Sequence, residues 1–189
     1  MLSIKNFICK IKGNLIYRFE FAHYGNNTVI RHPLEIQNKK FMSIGNSVYI
    51  AEYAWLMSRK DKTSAIKLFI GDNTEIGHYA HIVADNSVII ENNVLIADRV
   101  FISDCTHSYQ NINVPILKQK ISTLRPVVIG EETWVGEGVC VCGAQIGKHC
   151  IIGANSVVTK DIPDYCVAAG IPAKVIKKFD FSSNKWERV

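Results

Sequence analysis

Residues 70–102 read IGDNTEIGHYAHIVADNSVIIENNVLIADRVFI, and the placing of the branched aliphatics in this stretch decides the fold. They fall at Ile70, Ile76 and Ile82, then at Ile90, Ile96 and Ile102, with a step of six inside each triplet. The same step returns at Ile129, Val135 and Val141, at Ile146, Ile152 and Val158, and earlier at Ile44 and Ile50. The next residue is usually small, as in Gly71, Gly77, Ala97, Gly130 and Gly136, although Val83 and Glu91 break that rule. Four residues after the aliphatic stands another compact side chain, such as Thr74, Ala80, Val94 or Val100. Neither a 3.6-residue helix nor a two-residue strand alternation produces this pattern. Short flat strands joined by tight turns do. Three such sides make one coil, and like positions stack from coil to coil in parallel ladders. The aliphatic fills the prism, and the small residue relieves crowding at the corner.

Departures from the step locate the irregularities. Ile82 to Ile90 is eight residues, so the corner Ala84-Asp85-Asn86 is enlarged, and Val141 to Ile146 is five. Ile102 to Ile129 is 27, which leaves an insertion of 21 residues containing DCTHSYQNINVPILKQ. A long excursion from a rigid solenoid usually carries function. The spacing therefore predicts a cap over 1–43, a β-helix over 44–170 with an inserted loop over 103–126, and a basic tail or short helix over 171–189. A helical or irregular cap would cover the open end of the first coil. The alternative for this segment is a membrane-surface helix using Lys5, Lys10, Lys12 and Arg18.

Composition narrows the function classes. Hydrophobic residues make up 48% of the 189 and charged residues 21%, enough to bury a core and too ordered a balance for a disordered chain. The formal net charge is +5, which suits nucleic acid, an anionic surface or a phosphorylated small molecule. No arginine-rich run, RNA-binding aromatic motif or zinc-finger spacing is present, so no nucleic-acid partner is expected. The six cysteines (9, 105, 140, 142, 150 and 166) include no CxxC pair, and the first residues lack a secretory pattern. Free thiols in a cytoplasmic protein are the expectation.

The repeat from about residue 44 to 178, with the run IGANSVVTKDIPDYCVAAGIPAKVIKKF at 152–179, resembles the hexapeptide-repeat acyltransferase family. Within it, the chain is similar to sugar O-acetyltransferases of galactoside, maltose, capsule and O-antigen types and to streptogramin acetyltransferases. The resemblance implies a left-handed parallel β-helix, a hand opposite to the general rule for parallel crossovers. It further implies acetyl-CoA as donor, no metal, a homotrimer, and active sites shared between neighbouring subunits.

Acetyl transfer to a hydroxyl needs a base, donors for the tetrahedral oxyanion and a groove for the coenzyme arm. Six histidines are available, at 23, 32, 78, 81, 107 and 149. The segment Ser103-Asp104-Cys105-Thr106-His107-Ser108-Tyr109 resembles the family's catalytic segment, which makes His107 the general base. Asp104 would orient the imidazole or touch the acceptor, against the plainer role of capping a turn. By resemblance, Asp85 in the enlarged corner would bind acceptor hydroxyls. Cys105 is a rival, acylated nucleophile beside His107, though a small buried thiol is the plainer role. On the donor side, Trp134 resembles the tryptophan beside the pantetheine arm, and the Ala154 backbone would bond the pantetheine amides. Thr159 and Lys160 would lie near the adenosine, and Lys174 and Lys177 match basic positions that meet the phosphates. Lysine rather than the family's frequent arginine at 174 removes a bidentate contact.

Three competing readings remain. An amino-sugar N-acetyltransferase or an antibiotic O-acetyltransferase shares these motifs. A zinc hydratase of the carbonic-anhydrase type uses the same solenoid and would nominate His78, His81 and His107 as ligands. A noncatalytic scaffold would need neither His107 nor the lysine-rich end. The polar loop residues Ser108, Gln110, Asn111 and Asn113 favour a carbohydrate acceptor, with surface polysaccharide synthesis as the setting.

Overall fold

The computed structural model describes Cys9, Ile11, residues 13–60 and residues 65–189. It is a left-handed parallel β-helix with three faces. The first face stacks six strands, from His23–Tyr24 through Met42–Ile44, Leu68–Ile70, Val88–Ile90 and Val127–Ile129 to Gln145–Ile146. The second begins at Val29–Ile30 and ends in nine strands, and the third runs from Glu35–Gln37 to Val157–Val158.

Register follows the six-residue step. Ile44, Ile70, Ile90, Ile129 and Ile146 are direct partners on the first face. Ile50, Ile76, Ile96, Val135 and Ile152 align on the second, and Leu56, Ile82, Ile102, Val141 and Val158 on the third. All of these are buried. Each such side chain contributes about 1.5–3 kcal/mol, and the ladder repeats that gain in every coil.

The corners explain the small residues. A Cβ on Gly71 would stand 2.5 Å from Asn92 Oδ1 and 2.7 Å from its backbone nitrogen, so the coil above leaves no room for one. Polar corner residues staple successive coils: Asn26 N–H donates to Asn46 Oδ1 (2.9 Å), Asn46 N–H to Asp72 Oδ1 (2.7 Å) and Asp72 N–H to Asn92 Oδ1 (2.8 Å). These bonds satisfy backbone donors that the turn leaves without a strand partner.

Two ends differ from the sequence expectation. The stack starts at His23 rather than at 44, because Tyr24, Ile30 and Ile36 keep the six-residue step with an aromatic at the first position. Tyr17, Phe21 and Tyr24 then plug the open end, with ring centroids 5.4–5.5 Å apart. At the other end, Ala173–Asp180 and Lys185–Arg188 are antiparallel strands added to the second face, not a free tail or helix. Phe179, Phe181 and Trp186 pack edge to face within that addition, and Phe181 meets Tyr165 of the body edge to face at 4.9 Å, which gives the segment an apolar contact with it. The membrane-helix residues Lys5, Lys10 and Lys12 lie outside the described residues. No described helix is long and apolar enough to cross a membrane.

Candidate active site

The insertion forms a hairpin at the corner between the third and first faces. Cys105–His107 pairs antiparallel with Ile121–Thr123, setting Cys105 opposite Thr123 and His107 opposite Ile121. The Ser108 and Ser122 hydroxyls hydrogen-bond across it, and Leu124 N–H donates to the Asp104 carbonyl at 2.6 Å. A short turn at Ile116–Lys118 closes the outer part, where the Gln119 amide donates to the carbonyls of Asn111 (2.9 Å) and Val114 (2.8 Å).

His107 is exposed on this hairpin and overhangs a groove of about 530 Å³ along the third face. The floor consists of outward positions on successive coils: Trp55 and Met57, His81 and Val83, Phe101 and Ser103, then Cys142. Trp55 and His81 stack with centroids 4.3 Å apart and planes 4° from parallel, and Phe101 tilts against His81 at 5.2 Å. Burial holds the His81 imidazole below its ordinary pKa, so it is a neutral part of the floor. Tyr109, Ile121 and Leu124 supply the hairpin's wall.

Asp104 is fully buried, and its carboxylate accepts three backbone N–H bonds: from Asp85 (2.6 Å), Asn86 (2.7 Å) and Ser87 (2.6 Å). Three of its roughly four acceptor sites are thus spent on the enlarged corner, which is the plainer turn-capping role, and no bond to His107 is among them. Asp85 is 8% exposed and does not line the groove. Its Oδ1 accepts from Arg59 Nη1 and its Oδ2 from Thr123 Oγ1, both at 2.6 Å. Burial pushes this carboxyl upward, but the bonds from Thr123 and Arg59 outweigh it and hold the group below the usual carboxylate range. Thr123 sits on the hairpin and Arg59 follows the strand Trp55–Ser58, so Asp85 ties the base of the hairpin to the body.

Cys105 is half-buried beside Ser103 Oγ (3.5 Å), and burial pushes its thiol pKa up. All six cysteines are free thiols. Within one chain the three nominated histidines form no metal-binding group. Nε2 of His78 meets Glu52 at 3.1 Å and its Nδ1 meets Asp98 at 3.2 Å, while His81 is stacked into the groove floor. No three His, Cys, Asp or Glu side chains among the described residues form a group able to hold a metal ion.

The donor-side candidates lie away from this groove, on the second face and at the end of the third. Trp134, Ile151, Val167 and Lys177 are consecutive partners across the second face, and Lys174 lies opposite Ala169 on the same sheet. Trp134 is half-exposed and Lys174 exposed. Ala154 occupies the exposed turn that leaves this face after Ile151–Ile152. Thr159 and Lys160 are exposed just beyond the end strand of the third face, Val157–Val158. None of these residues lines the groove of their own chain's His107.

Sequence reasoning missed Trp55, Phe101, Arg59 and Thr123. The signal for the first two was present: with His81, each stands one residue before an inward aliphatic of the third face. Reading it required knowing which coil positions face outward. Arg59 and Thr123 carried no local signal, since their partner lies 26 and 38 residues away.

A family profile described as "Bacterial transferase hexapeptide (six repeats)" matches residues 126–160. Over 189 residues the chain is 36% identical to the Escherichia coli (strain K12) protein named "Putative lipopolysaccharide biosynthesis O-acetyl transferase WbbJ", covering 96% of this chain and 93% of that one. It is 32% identical over 172 residues to the galactoside O-acetyltransferase of the same organism, covering 90% of this chain and 79% of that one. Among solved structures, AntD, an N-acyltransferase from Bacillus cereus in complex with dTDP and 3-hydroxybutyryl-CoA, superposes with a TM-score of 0.75. That match covers 90% of this chain and 89% of the other at 19% identity, a likeness of fold.

Proposed function

Because the chain belongs to the hexapeptide-repeat acetyltransferases, we propose that it moves an acetyl group from acetyl-CoA to a hydroxyl of a carbohydrate acceptor, in the synthesis of a surface polysaccharide. The observation that carries the reading is the groove beneath His107. An imidazole fixed on a braced hairpin overhangs a floor of stacked rings. Such a floor receives the apolar C–H face of a sugar and leaves its hydroxyls pointing at the wall. The O-acetyl transferase names of the relatives at 36% and 32% identity support the same choice.

In the proposed reaction, neutral His107 takes the hydroxyl proton as the acceptor oxygen attacks the thioester carbonyl. The new C–O bond forms, the tetrahedral oxyanion collapses, the C–S bond breaks, and the proton on His107 passes to the leaving sulfur of CoA. Cys105 takes no acetyl group, because a thiol whose pKa is raised by burial is a poor nucleophile. Asp85 acts through Thr123 and Arg59 by holding the hairpin's base, and so positions rather than contacts the acceptor.

Acetyl-CoA is assigned to the strip containing Trp134, the Ala154 backbone, Thr159, Lys160, Lys174 and Lys177, whose cations suit its phosphates. Since that strip and His107's groove are separate within one chain, the working site is completed by a neighbouring copy in a homotrimer, with His107 facing the adjacent donor strip. The test is to offer the purified chain acetyl-CoA with a panel of sugars, amino sugars and streptogramin-type antibiotics, reading thiol release and locating the acetyl group by mass spectrometry. An alkali-labile sugar ester is the expected product. Acetylation confined to amines or to the antibiotics would overturn the reading.

A further inference from the structure

The N-terminal helical segment is apolar on two opposite sides. Cys9, Gly13, Tyr17 and Phe21, each four residues apart, are buried toward the body. Ile11, Leu15 and Phe19, also four apart and offset by two, are exposed at 43%, 68% and 84%, with Ile16 beside them at 45%. Gly13–Tyr17 form a π-helical turn and Arg18–Glu20 an α-helical one, and in either an offset of two residues is roughly half a turn, so the second row faces away from the first. A surface helix with one neighbour turns polar residues outward. One that turns Ile, Leu and Phe outward has a second apolar neighbour. The surrounding sequence says what kind. Lys5, Lys10, Lys12 and Arg18 precede the first acidic residue, Glu20. A second copy meeting here would set these cations against their own kind, whereas anionic headgroups attract them.

We propose that this segment docks the protein on an anionic membrane surface, with Ile11, Leu15, Ile16 and Phe19 entering the interfacial layer and Lys5, Lys10, Lys12 and Arg18 supplying the charge attraction. The inference stands on the helix alone and holds whichever acceptor the enzyme uses. Its test is co-sedimentation of the full chain with vesicles of phosphatidylcholine mixed with phosphatidylglycerol, against phosphatidylcholine alone. Pelleting with the mixed vesicles, weakened by salt, is the expected result. Leu15→Ser with Phe19→Ser should lower the partition coefficient by about tenfold or more, and Lys10→Gln with Lys12→Gln by about fivefold per charge. Melting temperature and oligomeric mass should stay unchanged in the serine variant, because Leu15 and Phe19 lie off the packed side. Three results would overturn the proposal: no pelleting with mixed vesicles, equal pelleting with neutral ones, or a change of oligomeric mass in the serine variant, which would assign the stripe to another copy of the chain.

Discussion

Replacing Asp104 tests whether the carboxylate next to the hairpin that carries His107 is a staple or a substrate contact. Its oxygens accept from the N–H groups of Asp85, Asn86 and Ser87, and its own carbonyl accepts from Leu124 at the foot of the hairpin. Asp104→Asn keeps the shape and one acceptor oxygen, which at the Oδ2 position retains the bonds from Asn86 and Ser87. The amide nitrogen then faces the N–H of Asp85, which loses its acceptor. A hydrogen bond to a charged group contributes about 1.5–3 kcal/mol, and a buried donor left unsatisfied costs about 1–3 kcal/mol. Asp85 is buried, so water recovers little of that loss. The expected cost is about 2 kcal/mol for Asp104→Asn and about 3 kcal/mol for Asp104→Ala. Both are a sizeable share of the 5–15 kcal/mol typical of a folded domain. Urea unfolding at fixed protein concentration reads the stability, and steady-state kinetics read the site. A staple predicts lost stability with reduced kcat and little change in acceptor KM, since the hairpin carrying His107 loosens. An Asp104→Asn variant of wild-type stability whose acceptor KM alone rises would refute this assignment and restore Asp104 as a substrate contact.

His107→Ala should lower kcat by about a hundred- to ten-thousand-fold while leaving the fold and acetyl-CoA affinity intact. Cys105→Ser should stay active, and loss of turnover there would mean a thiol route. Lys174→Ala with Lys177→Ala should raise the KM for acetyl-CoA more than it lowers kcat, and salt should weaken the wild-type affinity; unchanged donor affinity would move the phosphate site. Light scattering should return a trimer, and a stable, active monomer would reject the shared site. Stability should fall in two stages on acidification. His81, held neutral by burial, binds its proton more readily in the unfolded chain, so stability drops as pH falls below the ordinary imidazole value of about 6.5. Asp85, whose folded pKa is lowered, stabilises the fold above the ordinary carboxylate value of about 3.9, and that contribution is lost as pH falls through and below it. His81→Phe should remove the first stage in urea titrations across pH, and an unchanged profile would contradict the assignment.

The β-helix was legible in the chain because its determinant is local and redundant. Ile70, Ile76 and Ile82 state the step, and each later coil restates it, so single breaks such as Val83 or Glu91 do no harm. The segment that carries the candidate base was legible for a related reason: a long insertion stands out against a short period, and DCTH marks its start. The ends were misread where the pattern changed residue type. Tyr24 holds an aliphatic's place in the first coil, and the strand Ala173–Asp180 alternates with lysines on a sheet the sequence shows as already finished. What only the tertiary structure decided is everything built across coils. Trp55, His81 and Phe101 are separate residues in the chain and one continuous floor in the fold, because stacking sets like positions of successive coils beside each other. Asp104 and Asp85 carry the same charge and lie near each other in the chain, and no local rule distinguishes them from substrate ligands. Their partners do: three backbone amides one coil back for Asp104, and for Asp85 an arginine one coil back with a threonine that the hairpin returns to it. A carboxylate's role follows from which donors reach it first, and that is a property of the folded packing.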